Sequence, residues 1–238
     1  LYGRSRFTEL METLAHIEGD FVLRMLYIHP DTFPMDLIDL VAREEKILPY
    51  FDIPVQHADE RILKAMRRSG SGDKYASLFA AIREKNSDAV IRTTLMLGFP
   101  GEDRAAFETL LSFIRKAQPD WMGSFTYSRE EDTPAYSMRN KKEHDKAHKE
   151  ALKWQKELEE VQSEITAKRL QRFVGKEYWA LVEEKIEGED LAIGRIYSEA
   201  PEVDGLTVIM GRDMKSGDKV RVGIRSVRGV DLEGVKID

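Results

Sequence analysis

The sequence predicts an α/β segment built on a parallel sheet, followed by a small five-stranded antiparallel β-barrel. Three observations carry this. Apolar, β-branched runs begin near residues 21, 50, 90 and 121 and alternate with stretches of helical periodicity, the order that gives parallel strands joined by crossover helices. A long charged helix begins at about residue 142. From residue 176 the pattern changes to short alternating strands separated by glycines and acids, as in a barrel of the oligonucleotide-binding type.

Taken in order, Ser5 reads as the cap of a helix through about His16, with Phe7, Leu10, Met11 and Leu14 on one face. Residues 21–28 read as a buried strand closing at His29-Pro30, residues 35–47 as a helix and residues 50–55 as a short strand. Helices are expected over 59–68 and 73–86. The Gly-rich connector Ser69-Gly70-Ser71-Gly72 between them lacks the Gly-Lys-Ser/Thr of a phosphate loop. A strand over 89–98 turns at Phe99-Pro100-Gly101 into a helix over 103–117, and a fourth strand spans 121–127. This spacing suits a (β/α) barrel or a doubly wound sheet. Four units do not close a barrel, and the chain opens on Leu1, so the expectation is a piece of a longer protein whose other strands precede Leu1.

On the long helix, Ala147, Ala151, Trp154, Leu158, Val161 and Ile165 step by four and three, a heptad-like stripe. It would span about 45 Å, either packed on the first segment or serving as a strut to the second. Strands are expected at 178–182, 191–193, 206–209, 219–222 and 234–237. The expected division is 1–140, a connecting helix over 141–174, and a barrel over 175–238.

Of 238 residues, 42% are apolar and 34% charged, enough for a real core under a charged surface. The net charge of −6 argues against a general nucleic-acid coat protein. No apolar run approaches the roughly 18 residues of a membrane span, and the opening Leu1-Tyr2-Gly3-Arg4-Ser5 reads as amphipathic-helix material, not a signal peptide. A cytoplasmic location is expected. Cysteine is absent, which excludes disulfides, thiolate metal sites and a cysteine nucleophile from these residues. The one i,i+4 histidine pair, His144 and His148, reads as a solvated face, and no metal cluster is legible.

Candidate chemistry gathers where strands give way to helices. Gln56 and His57 follow Asp52-Ile53-Pro54-Val55. Arg92 lies within an apolar strand and needs a carboxylate, a phosphate or the polar edge of a ligand. Gly98-Phe99-Pro100-Gly101-Glu102 brings bare backbone and a flat side chain to a strand end, and Phe125-Thr126-Tyr127-Ser128 ends the next strand in hydroxyls.

The pieces Asp52-Ile-Pro-Val-Gln-His57, Leu63-Lys-Ala-Met-Arg67, Arg92-Thr-Thr-Leu-Met-Leu-Gly-Phe-Pro-Gly-Glu102 and Phe125-Thr-Tyr-Ser-Arg-Glu-Glu-Asp-Thr-Pro-Ala135 stand in the order seen in radical S-adenosylmethionine methylthiotransferases. Gly194-Arg-Ile-Tyr-Ser-Glu-Ala-Pro-Glu-Val-Asp-Gly205 resembles the TRAM domain of that family. The resemblance implies a partial (β/α) barrel of the radical SAM type lacking its N-terminal strands, then an OB-like TRAM barrel. It is most similar to the type that methylthiolates the β-carbon of an aspartate in a small-subunit ribosomal protein. That type implies S-adenosylmethionine, two 4Fe–4S clusters held by six cysteines, and a reductant protein. None of the six cysteines is present, so this chain by itself is expected to be inactive. By the same resemblance Gln56, Arg92, Gly98, Phe99, Pro100 and Ser128 are candidate contacts to S-adenosylmethionine, with Tyr127 beside them; catalytic residues are not identified.

Two other readings stay open: a relative that methylthiolates a tRNA adenosine, and a binding module on a decayed barrel. Residues 175–238 hold ten basic and fourteen acidic side chains, a net of −4, which suits a basic ribosomal protein better than RNA. Glu183, Glu187, Glu189, Glu199, Glu202 and Asp204 are the carboxylates expected to be exposed, while Lys219, Arg221, Arg225 and Arg228 form a local basic stripe.

Overall fold

The computed structural model describes residues 5–237, so the expected helical opening Leu1–Arg4 lies outside the described residues. The chain divides into two compact units, Leu1–Val161 and Gln162–Asp238.

The first unit is a four-stranded parallel sheet in the order β1-β2-β3-β4, formed by Leu23–Met25, Ile47–Asp52, Val90–Leu97 and Trp121–Thr126. Helices α1 (Phe7–Ala15), α2 (Asp36–Arg43), α3 (Glu60–Ala65), α4 (Gly72–Lys85) and α5 (Arg104–Ala117) accompany it. Asp59, Ser71 and Asp103 start α3, α4 and α5 by accepting the backbone N–H groups of Ile62, Lys74 and Ala106, which would otherwise lack partners. The period-two pattern of β3 sorts its two faces. Ile91, Thr93, Leu95 and Leu97 are fully buried, whereas Arg92, Thr94 and Met96 are half-buried on the opposite face.

Four local expectations change. Helix α1 begins at Phe7 with Arg6 before it, and neither Arg6 nor Ser5 caps it through a side chain. The strand expected over 21–28 shrinks to Leu23–Met25, because Tyr27 takes a left-handed φ of 59° and the Tyr27 and Ile28 N–H groups turn to the Asp52 carboxylate and carbonyl. Helix α2 stops at Arg43, where Glu44 adopts extended backbone, and Ile47 already opens β2. That strand ends at Asp52. Pro54 has no N–H to donate, and the chain rejoins the sheet at Gln56, whose N–H donates to the Thr94 carbonyl while its carbonyl accepts from the Met96 N–H.

Helix α6 (Lys141–Leu170) opens in the first unit, and its stripe is used there. Ala151, Trp154 and Leu158 are buried. Trp154 stacks on Phe107 of α5 with ring centroids 5.2 Å apart. Arg104 holds Glu157 through two hydrogen bonds of 2.8 and 3.0 Å, and Gln155 donates to the Ser124 carbonyl on β4.

The second unit is a closed barrel in the order β5-β6-β7-β9-β8, formed by Glu177–Lys185, Leu191–Arg195, Thr207–Met210, Asp231–Ile237 and Lys219–Arg228. Its pairings are antiparallel except β7 with β9, which is parallel. Parity requires this: strand directions cannot alternate all the way round a ring of five. Val182, Ala192, Ile209, Val222, Ile224 and Leu232 are buried residues of these strands. Glu199, expected on the surface, is fully buried. Its carboxyl receives the Ile196 N–H and the Thr207 hydroxyl. Burial, with Asp204 and Asp231 nearby, pushes its pKa up to about 8.

Candidate functional site

Strand register sets Arg92 between Asp52 on β2 and Trp121 on β4. Its Nη1 lies 3.2 Å from Asp52 Oδ1 and 3.2 Å from Thr94 Oγ1, with the two charged side chains only 12% and 2% exposed. The carboxylate that this arginine required is therefore the protein's own. Asp52 is further tied by its Oδ2, which accepts the Tyr27 N–H at 3.0 Å. Glycine at 123 leaves room for the guanidinium, since a Cβ there would sit 3.2 Å from Arg92 Nη2.

The turn after β3 is a second construction. Gly98 has φ of +80°, and a Cβ on it would come within 2.8 Å of Ala151, so only glycine fits both the backbone and the helix α6 that lies against it. Its N–H donates to Glu102 Oε2, and its carbonyl accepts from Arg139 Nη1 at 3.0 Å. Fully buried His57 completes the frame. Its Nδ1 accepts the Asp59 N–H at 3.0 Å, so Nε2 carries the ring proton and donates to Glu102 Oε1 at 3.1 Å. Glu102 thereby joins the ends of β2 and β3. Burial holds the Arg139 guanidinium below its usual pKa, and the charges of Glu102 and Glu143 oppose that shift.

Phe99 and Pro100 are buried at this turn. The Phe99 ring meets Tyr127 edge-on at 5.2 Å, packed with Ile62 and Ala106. Tyr127 in turn meets His144 at 5.8 Å, and His148 lies 5.9 Å beyond. The histidine pair is thus half-buried against the strand ends instead of forming a solvated face, and burial together with His148 lowers the His144 pKa.

Gln56 has a left-handed φ of 69°, held by its two backbone bonds to β3. Its Oε1 and the hydroxyl of Tyr127 are buried without a hydrogen-bond partner. An unsatisfied buried acceptor costs about 1–3 kcal/mol, which a donor from a ligand would offset.

The structure gathers Gln56, Gly98, Phe99, Pro100 and Tyr127 about the end of β3. Arg92 lies lower in the sheet, five residues before Leu97, about 16 Å along the strand. Ser128 is exposed and donates to Glu130 at 2.5 Å. The residues that sequence reasoning passed over are Asp52, Glu102 and Arg139. Glu102 was detectable as the acid closing Gly-Phe-Pro-Gly-Glu; Arg139 carried no local signal. Among the described residues, no group of three His, Cys, Asp or Glu side chains could hold a metal ion.

Comparison with known proteins gives these features a context. The radical SAM superfamily model matches residues 3–114, and the TRAM domain model matches residues 174–237. The ribosomal protein uS12 methylthiotransferase RimO of Treponema denticola is 40% identical over 247 residues, covering 96% of this chain and 52% of that protein. Those of Dictyoglomus thermophilum and Aquifex aeolicus are each 40% identical over 237 residues, covering 98% of this chain and 52% and 54% of theirs. The chain spans about half the length of the curated relatives it matches. Among solved structures, the radical SAM enzyme coproporphyrinogen III oxidase (HemN) of Escherichia coli is 15% identical with a TM-score of 0.47, over 64% of this chain and 36% of that one. The chain thus matches the radical SAM superfamily over residues 3–114 and the TRAM domain over residues 174–237, and is similar over nearly its whole length to the methylthiotransferases of ribosomal protein uS12.

Proposed function

We propose that this chain is part of a methylthiotransferase that replaces a hydrogen on the β-carbon of an aspartate in ribosomal protein uS12 with a methylthio group. The observation that carries this reading is the 40% identity to uS12 methylthiotransferases over 96–98% of the chain. Support also comes from the buried strand-end frame, whose His57, Gly98 and Glu102 lie within the residues matched as radical SAM.

The two groups that the family implies differ in their fit. Iron–sulfur clusters are held by thiolates, and this chain has no cysteine, so none of its residues fits a cluster. S-adenosylmethionine does fit. Gln56 Oε1 offers a buried, unused acceptor, Arg92 a guanidinium, and Gly98, Phe99 and Pro100 a flat apolar turn for the adenine. When bound and reduced by one electron from a cluster that these residues cannot hold, S-adenosylmethionine would supply hydrogen abstraction, and a second molecule would supply the methyl group. The protein's own part is to orient it, with His57 and Glu102 fixing the turn and Asp52 aiming Arg92. Ser128 stands at the rim.

The barrel is read as the docking surface for uS12. Glu183, Glu187, Glu189 and Glu202 are exposed there, and a field of this sign accelerates encounter with a basic protein. One feature favours a second reading, an RNA grip: exposed Trp179 carries Lys219 and Arg221 over its ring at 5.6 and 5.4 Å.

The test joins this chain to the cysteine-bearing segment of a uS12 methylthiotransferase and supplies reductant, S-adenosylmethionine, sulfide, uS12 and, separately, tRNA. Mass spectrometry is expected to find methylthiolated aspartate in uS12. Modification of tRNA alone would replace this reading with the second.

A further inference from the structure

The outward face of α6 carries a row of lysines that neither the fold nor the proposed reaction uses. Lys142, Lys146, Lys149, Lys153 and Lys156 recur at spacings of four, three, four and three residues, so they stay on one side of the helix. That side lies opposite Ala151, Trp154 and Leu158, which are buried, and all five lysines are exposed. Lys153 pairs with Glu150 at 3.1 Å, while among the described residues Lys142, Lys146, Lys149 and Lys156 form no ion pair. One acid, exposed Asp145, lies among Lys142, Lys146 and Lys149 and pairs with Lys141 at 3.4 Å, while Glu157 on the flank binds Arg104. In a chain of net charge −6, a face with five lysines to one aspartate stands against the general balance.

We infer that this lysine row is a binding surface for the phosphate backbone of RNA. From Lys142 to Lys156 is about 21 Å of helix. It is a straight line of point charges without an aromatic or apolar centre, the composition of a backbone contact, not of a protein hot spot. Lysine suits phosphate as a point charge, and such contacts position a nucleic acid without reading its sequence. An acidic protein segment would find the same sign, but there is no flanking apolar pocket to anchor its side chains. Leu152, half-exposed, stands alone beside the row.

The experiment is fluorescence polarisation of the whole chain with a labelled single-stranded RNA of about 20 nucleotides, a length chosen to exceed the row. If about four lysines neutralise phosphates, log K falls with log salt at a slope near −3. Affinity then drops roughly 60-fold between 50 and 200 mM salt. Replacing all five lysines with glutamine, which keeps helix propensity, is expected to abolish the binding while circular dichroism stays unchanged. Lys64→Gln with Lys74→Gln, exposed lysines off the row, is expected to leave it in place. The inference is overturned if the native chain does not bind RNA at 50 mM salt. It is equally overturned if the five-glutamine variant binds as well as the native chain, or if polyglutamate binds more tightly than RNA.

Discussion

Two residues at the end of the sheet separate ligand binding from architecture. Glu102 is fully enclosed and accepts from both His57 and the Gly98 N–H, so Glu102→Ala strands two buried donors. The expected cost is about 2–4 kcal/mol of stability, read as a lower urea midpoint with an unchanged slope. Gln56 differs because its Oε1 serves nothing within the protein. Gln56→Ala should leave the unfolding free energy from urea denaturation within about 1 kcal/mol while weakening S-adenosylmethionine binding in titration calorimetry roughly five- to tenfold. Unchanged binding with lost stability would make Gln56 architectural. Arg92 cannot supply so clean a test, since Arg92→Ala also abandons the buried carboxylate of Asp52.

At the scale of elements, the barrel stores an acid in its wall. Glu199 sits on the link between β6 and β7, held to Ile196 and Thr207, and its pKa is raised to about 8 by burial. The sign follows from linkage. The unfolded carboxyl ionises from about pH 4.5, whereas the folded one keeps its proton until about pH 8. Its contribution to stability is therefore complete below the unfolded value and is lost as pH rises towards 8. Denaturation of the native chain should show the barrel less stable at pH 8.5 than at pH 5.5, by on the order of a few kcal/mol. Glu199→Gln should flatten that slope. A slope of equal size in the variant would assign it to other groups.

For the whole molecule, composition sets the clearest expectation. With no cysteine, the chain offers iron no thiolate, and no described cluster of histidines and carboxylates replaces one. Anaerobic reconstitution with iron and sulfide should leave no stoichiometric metal after desalting, and stable iron would sink this expectation. Charge then differs between the surfaces: the barrel exposes Glu183, Glu187, Glu189 and Glu202, while α6 exposes a row of lysines. None of the helices is long and apolar enough to cross a membrane, among the described residues.

By itself the sequence determined the alternation of strands and helices, the long helix and the closed five-stranded barrel. These follow from periodicity and turn chemistry, which act within a few residues of each position. Arg92 was legible as a charge in an apolar strand that must find a partner, and Gly98 as a position where bare backbone matters. Only the tertiary structure decided who the partners are. Asp52 lies forty residues from Arg92, and Glu102 lies forty-five from His57; contacts that distant leave no local pattern. The same reason explains the errors. Tyr27 leaves its strand because a carboxylate on β2 takes its N–H, and Glu199, an acid in a turn between Ser198 and Ala200, is buried because Thr207 and Ile196 satisfy it. Hydrophobic pattern fixes which segments pair, while the burial of a polar atom is fixed by the hydrogen bonds that only the assembled fold provides.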